Sequence, residues 1–223
     1  MSYILNIDTA VTTASVCLAK DNQSLGLQLN PSQKDQAAWL HTAIRALIRE
    51  AEIPLQQLDA IAVSAGPGSY TGLRVGMAAG KGLCYALKKP LIAVNTLQMM
   101  AVAAQGEPTE LLCPMIDARR MEVFTALYDQ SLNEKLSPVN IILDELSFRD
   151  VLSLHTVSFF GNGSEKYKNF PHNVNAYFKK IEADAKNMIP LSFNQFKRGE
   201  LVNLAYSEPN YGKEFYSAYV KPS

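Results

Sequence analysis

Two rhythms of apolar and polar residues alternate along the first hundred positions, and the rhythm changes wherever glycine, proline or a short polar cluster intervenes. Tyr3 to Asp8 and Ala14 to Lys20 are short, mostly apolar runs, and Leu25, Leu27 and Leu29 alternate with other residues. That pattern predicts three strands, with Asp21, Asn22, Gln23 and Ser24 turning between the second and the third. From Asp35 to Glu52 the period lengthens, placing Ala37, Leu40, Ile44, Leu47 and Ile48 on one side of an amphipathic helix that Pro54 ends. Ile61 to Ala65 is another short apolar run, closed by Gly66, Pro67 and Gly68 and followed by the hydroxyls of Ser69, Tyr70 and Thr71. A helix is expected from about Gly72 to Lys88, Lys89 and Pro90, its basic last turn suited to the negative end of the dipole. Leu91 to Val94 reads as a further strand.

The resulting order, three strands, helix, strand, helix, strand, is that of a ribonuclease H-like unit, in which a meander is extended by parallel strands through helical crossovers. The second half begins the same way. Leu112 to Ile116 is a strand ending in Asp117, Met121 to Tyr128 is the next, and Asp129 to Asn133 is a turn, so Asp8 to Asp21 and Asp117 to Asp129 bracket the second strands at nearly the same separation. Val139 to Leu143, a polar helix around Asp144 to Leu152, the strand Thr156 to Phe160, the turn Gly161, Asn162, Gly163, and helices from about Glu165 and Ser192 follow. Residues 165–190 have weak periodicity. The expected fold is α/β: a duplicated actin-like, ribonuclease H-like fold of the ASKHA type, with mixed sheets flanked by helices and a reduced second lobe. Its divisions are an N-terminal lobe over 1–103, a smaller C-terminal lobe over 104–190, and C-terminal helices over 191–223 that return to the first lobe.

The glycine loop and helix hold the candidate chemistry. A Walker A loop needs four residues between its first glycine and Gly-Lys, then Ser or Thr; Gly76 to Gly80 leaves three, and Lys81 is followed by Gly82. A dinucleotide fingerprint would place its third glycine at Thr71, and no acid lies about 20 residues on to hold a ribose. Ser69 has Pro67 and Thr71 where a nucleophile elbow requires glycines. Amides at a helix N-terminus receive anions, and the same loop also reads as a plain tight turn. Gly72, Gly76 and Gly80 recur every four residues and line one face, each costing about 0.5–1 kcal/mol relative to Ala. Close approach of the backbone to the chain's own sheet or to a partner helix would offset that cost.

Composition narrows the field. With 48% hydrophobic and 19% charged residues the chain is a globular protein, and 21 Lys plus Arg against 21 Asp plus Glu leave no global field to draw it onto nucleic acid. There is no apolar run of membrane-spanning length and no basic n-region in MSYILNIDTA, so a cytoplasmic protein is expected. Cys17, Cys84 and Cys113 sit in apolar stretches and read as buried small hydrophobes. His41, His155 and His172 lie far apart, which gives no zinc pattern.

LNIDTA at 5–10, DAIAVSAGPGSYTGLRVGMAAGKGL at 59–83, PLIAVNTL at 90–97 and IDARRMEVF at 116–124, with AYVKP near the end, resemble the signature segments of the bacterial TsaB family, also called YeaZ. The resemblance implies a subunit that works with TsaD and TsaE to form threonylcarbamoyladenosine in tRNA, reaching tRNA only through that complex, and that forms a homodimer when alone. TsaD is similar to TsaB and holds its metal through a His-x-x-x-His segment. Here Thr96 and Met100 stand at those positions, and neither replaces an imidazole. The resemblance therefore implies no metal, no catalytic residues and no cofactor of its own, any nucleotide being shared with TsaD. It assigns Ala37, Leu40, Ile44, Leu73, Gly76, Met77 and Gly80 to an interface and favours the partner reading of the glycine stripe. Trp39 is a further anchor or a core residue. Where family members have His-Ser at the start of the first helix, this chain has Gln36 and Ala37 after Lys34 and Asp35. Asp8 and Thr9 match the first phosphate loop of the fold and, with Gly66, Gly68, Ser69 and Thr71, are the nucleotide-binding candidates; a polar strand end capping nearby amides is the other reading of Asp8. Asp117, with Arg119 and Arg120, marks the second loop. Two other activities compete: an actin-like phosphotransferase or ATPase with its own active site, and a peptidase, for which no Ser-His-Asp, Cys-His or H-E-x-x-H arrangement is present.

Overall fold

The computed structural model describes residues 1–30 and 35–212. AYVKP and Lys34 lie outside the described residues. Strands β1 (Tyr3–Asp8), β2 (Ser15–Lys20) and β3 (Gln23–Leu29) form a meander, and α1 (Gln36–Glu50) crosses to β4 (Ala60–Gly66). Helix α2 (Tyr70–Leu87) crosses in turn to β5 (Leu91–Asn95). The sheet order is β3-β2-β1-β4-β5, with β1 antiparallel to β2 and parallel to β4. After α3 (Thr96–Ala103) the scheme repeats: β6 (Leu111–Asp117), β7 (Glu122–Asp129), β8 (Glu134–Ile142), α4 (Arg149–Leu154), β9 (Val157–Phe160), α5 (Ser164–Lys168) and β10 (Ala176–Lys179). The second sheet runs β10-β9-β6-β7-β8, the same order as the first when read from β8, and the pairing senses match strand for strand. The duplicated fold is thus present with all five strands in each copy. The reduction lies in the helices: 15 and 18 residues in α1 and α2 against 6 and 5 in α4 and α5.

Three apolar cores follow from this layering. One lies between the two sheets, where Ile4, Ala62, Val94, Phe124, Tyr128 and Phe160 meet Leu97, Met99 and Met100 of α3 and Ile189 of α6 (Ile189–Arg198). A second joins the outer face of the first sheet (Leu5, Ile7, Val16, Ile61, Val63) to Leu40, Ile44 and Leu47 of α1 and Met77 and Cys84 of α2. The third covers the outer face of the second sheet with Phe159, Tyr167 and Leu152. All three cysteines are buried and unpaired, and burial pushes the Cys84 thiol up to about 11 and Cys113 to about 12.

The sequence reading needs local corrections. Only Asp21 and Asn22 turn between β2 and β3, because Asp21 takes a positive φ of 52° and its Oδ1 accepts from Ser2 N at 2.8 Å. Helix α2 begins at Tyr70, capped by Ser69, and ends with Lys88 in the left-handed region, so its last helical turn carries no basic residue. The polar helix starts at Arg149, since Asp144 ties itself into a turn with Ser147 at 2.8 Å. Helix α6 starts at Ile189, where Pro190 suits the first turn, and not at Ser192.

Candidate functional site

The loops at the ends of β1 and β4 close on each other. Asp8 is fully buried; its Oδ1 accepts from Ala10 N at 2.9 Å, and its Oδ2 has no hydrogen-bond partner. Burial pushes its carboxyl up to about 6, against the lowering effect of the Ser64 and Ala10 hydrogen bonds, and the charge of Asp184 adds to the rise. Thr9 is also fully buried and donates from Oγ1 to Gly72 O at 2.7 Å, while its N donates to Ser64 Oγ at 3.4 Å. Ser69 N donates to Ala10 O at 2.9 Å, and Ser69 Oγ accepts from Gly72 N at 3.2 Å as the cap of α2. A Cβ on Gly68 would stand 2.6 Å from Ala10 O, and one on Gly66 would overlap the backbone of Asn210. In the isolated chain the nucleotide-binding candidates Asp8, Thr9, Gly66 and Gly68 hydrogen-bond to or pack against the chain's own backbone, and Ser69 caps α2. Thr71 is exposed and sits one residue into the helix.

The matching loop of the second copy is built differently. Asp117 is exposed; its Oδ1 accepts from Arg119 N at 2.6 Å and from Lys166 Nζ at 2.5 Å. Partial burial pushes its carboxyl up, but the Lys166 hydrogen bond, then the Arg119 amide and the two nearby cations, outweigh it and hold the group below the ordinary carboxylate value. Arg119 and Arg120 take φ of 69° and 47° in the turn that joins β6 to β7.

The glycine stripe faces inward. A Cβ on Gly72 would overlap the Thr9 carbonyl oxygen, one on Gly76 the Thr9 hydroxyl, and one on Gly80 would stand 2.5 Å from Val63 Cγ1. These three glycines let α2 lie directly on β1 and β4. Most of the interface candidates serve the lobe's own packing in the isolated chain. Gly76 and Gly80 are buried under the helix, and Leu40, Ile44, Leu73 and Met77 are at most 4% exposed in the lobe's core. The physical reason is that the apolar stripe of an amphipathic helix covers its own sheet first. Ala37 is the exposed member of the set; Gln36 and Trp39 are half-buried, with Trp39 packed at the edge of the core.

The opposite face of α2 carries what the residue pattern did not single out. Arg74, Ala78 and Gly82 also recur every four residues, two positions out of phase with the inner glycines, and all three are exposed. Nothing lies within 4 Å of where a Cβ on Gly82 would point. Beside this row an apolar groove of about 490 Å³ runs between α1 and α2, lined by Ala37, Leu40, His41, Val75, Ala79 and Leu83 among others. The signal was available as a second small-residue period in the same helix, masked by the more conspicuous glycines.

Two copies of a three-strand meander extended by two parallel strands, each closed by a loop at the end of its first strand, define an actin-like, ribonuclease H-like protein. The family model described as "TsaD: tRNA N6-adenosine threonylcarbamoyltransferase" matches residues 30–207. The chain is 28% identical over 222 residues to the tRNA threonylcarbamoyladenosine biosynthesis protein TsaB of Escherichia coli, a match covering 93% of each. It is 34% identical over 126 residues to the TsaB protein of Bacillus subtilis, spanning 56% of this chain and 54% of that protein. The solved structure of YeaZ from Pseudomonas aeruginosa superposes with a TM-score of 0.80 at 28% identity, over 95% of this chain and 100% of that one. This chain belongs to the TsaB (YeaZ) family, which shares the TsaD-type domain.

Proposed function

We propose that this chain is a non-catalytic subunit for threonylcarbamoyladenosine formation in tRNA, and that it docks a TsaD-type transferase on the outer face of α1 and α2. TsaE is the third component, a second copy takes the same face when TsaD is absent, and tRNA is reached through the assembled complex in the cytoplasm. The observation that carries the docking reading is Gly82: an exposed glycine inside an 18-residue helix, with open space where its Cβ would be, has no use in the chain's own packing. It costs helix stability and permits close approach by another helix. No helix among the described residues is long and apolar enough to cross a membrane.

The non-catalytic reading is supported at the two positions where TsaD has histidines. Thr96 Oγ1 accepts from Gly66 N at 3.1 Å, and Met100 is buried in the core between the sheets. A hydroxyl already engaged by the backbone and a buried thioether are a poor donor set for a first-row metal. An independent phosphotransferase is disfavoured because Asp8 and Thr9 are committed to the backbone of their own lobe.

Reconstitution tests the proposal. The chain alone is expected to transfer no threonylcarbamoyl group, and to restore modification when added to TsaD, TsaE, threonylcarbamoyl-adenylate and tRNA. Gly82→Leu, which meets nothing in the isolated fold, should remove TsaD binding while the melting temperature changes by no more than a few degrees. Transfer by the chain alone would overturn the non-catalytic reading, and normal binding by Gly82→Leu would overturn the docking face.

A further inference from the structure

The segment after α6, residues 199–212, has no helix, yet it follows one defined path along the flank of α2. Val202 N donates to Leu91 O at 3.0 Å, which covers the open edge of β5, and Asn210 N donates to Ala65 O at 2.7 Å. Between these points Lys81 Nζ donates to Ala205 O at 3.3 Å and to Ser207 O at 3.1 Å, gripping the strap on both sides of Tyr206. Tyr206 itself is 84% exposed, and Tyr85, one turn beyond Lys81 on α2, is 82% exposed. Nearer the start of α2 the Arg74 guanidinium lies 4.2 Å over the Tyr70 ring and donates from Nε to Tyr211 Oη at 3.1 Å, with the two tyrosine rings 5.0 Å apart.

We propose that this strap is the second half of the docking surface, and that Tyr206 and Tyr85 are its anchoring side chains for a TsaD-type partner; the inference rests on the docking reading above. Four tyrosines and an arginine gathered on one flank of a small-residue helix face have the composition of binding hot spots. Tyrosine supplies large contact area with few torsions to freeze, and the Lys81 hydrogen bonds fix the backbone on both sides of Tyr206, so only its two side-chain torsions remain to be ordered when the partner arrives. Charge selects the occupant. Helix α2 carries Arg74 and Lys81 and no acid, Lys88 and Lys89 follow it, and the strap brings Glu208, whose charge acts on Arg74. A second copy sets these cations against themselves and is the weaker occupant of the face, whereas a partner presenting carboxylates to Arg74 and Lys81 complements them and displaces it.

Isothermal titration of the full chain with purified TsaD-type partner tests this. Tyr206→Ala and Tyr85→Ala should each weaken binding by at least about tenfold with an unchanged melting temperature. Val174→Ala, which truncates an equally exposed apolar residue of the second lobe, should bind as the parent does. Binding by Tyr206→Ala within about twofold of the parent would overturn the strap's role. Gly82→Leu separates the two claims. If it loses binding while Tyr206→Ala keeps it, the docking face stands and the strap falls; if it binds normally, both fall.

Discussion

The first and second lobes share five strands in one order, yet they cover the outer faces of their sheets by different means. The first uses α1 and α2, 15 and 18 residues long. The second uses helices of 6 and 5 residues and fills the remaining area with rings: Phe148, Phe159, Tyr167, Phe178 and His172 contact one another at centroid distances of 4.5 to 6.0 Å. Each aromatic ring buries a large area, so a sheet face can be covered without long crossovers. The long helices of the first lobe thus exceed what burial requires, and the excess is an outward face with small residues along α2. The two copies of the frame differ in that one exposes a long helix face and the other closes its core with rings.

The inner glycines offer the most severe way to break this comparison. Gly72 lies so close to the Thr9 carbonyl oxygen that even a methyl group overlaps backbone, which cannot swing aside as a side chain can. Gly72→Ala is expected to cost at least about 3 kcal/mol, measured by urea denaturation, or to prevent folding. A loss below 1 kcal/mol would mean that α2 does not rest on β1 as described.

The paired aspartates at the ends of β1 and β6 give the next largest effect, with opposite signs. An unfolded Asp8 titrates near 3.8 and the folded one near 6, so at pH below about 4 both states are neutral and folding is unopposed at this residue. As the pH rises from about 4 through 6 the unfolded carboxyl ionises while the folded one keeps its proton, so stability is lost across that window and the loss is complete above it. Two pKa units correspond to about 3 kcal/mol. Asn at this position keeps the acceptor for Ala10 N, so Asp8→Asn should stabilise the fold by up to about 3 kcal/mol at pH 7.5 and by little at pH 4. Equal gains at the two pH values would contradict the burial argument. Asp117→Asn should instead destabilise slightly at pH 7.5, because that carboxyl is held below its ordinary value by Lys166 on an exposed surface.

Much of this frame was legible in the residues. Short apolar runs and the Asp8/Asp21 and Asp117/Asp129 spacing announced the meanders and their repetition, because strand period and turn chemistry are local properties. Strand β10 was not legible: Ala176–Lys179 is a four-residue edge strand whose place depends on pairing with β9 rather than on its own pattern. Strand β8 was read from Val139 only, since Glu134 to Pro138 is polar, partly exposed edge sequence. The candidate site was the least legible part. Periodicity told which residues of α2 share a face, but whether that face met sheet or solvent depends on what lies beneath it, and Thr9 and Val63 are distant in sequence. The strap contacts of Lys81 and Arg74 span more than 120 positions and leave no local trace.

Gly82→Ala is the mildest substitution and sharpens the comparison most directly, because it uses the same helix and the same residue type as Gly72. In the interior of a helix, Ala is favoured over Gly by roughly 0.5–1 kcal/mol through the smaller backbone entropy lost on folding. At Gly72 that gain is overwhelmed by overlap with Thr9; at Gly82 no atom opposes it. The isolated chain should therefore become more stable by that amount, raising the melting temperature by about 1–4 °C. The added methyl projects from the outward row of Arg74 and Ala78, so the same variant should bind the TsaD-type partner no better, and more weakly where helices approach closely. A substitution that strengthens the isolated chain while loosening its complex is what an exposed glycine retained for contact requires. If Gly82→Ala instead lowered the melting temperature, the glycine would be serving this chain's own fold, and the outer face of α2 would have no claim to be a docking surface.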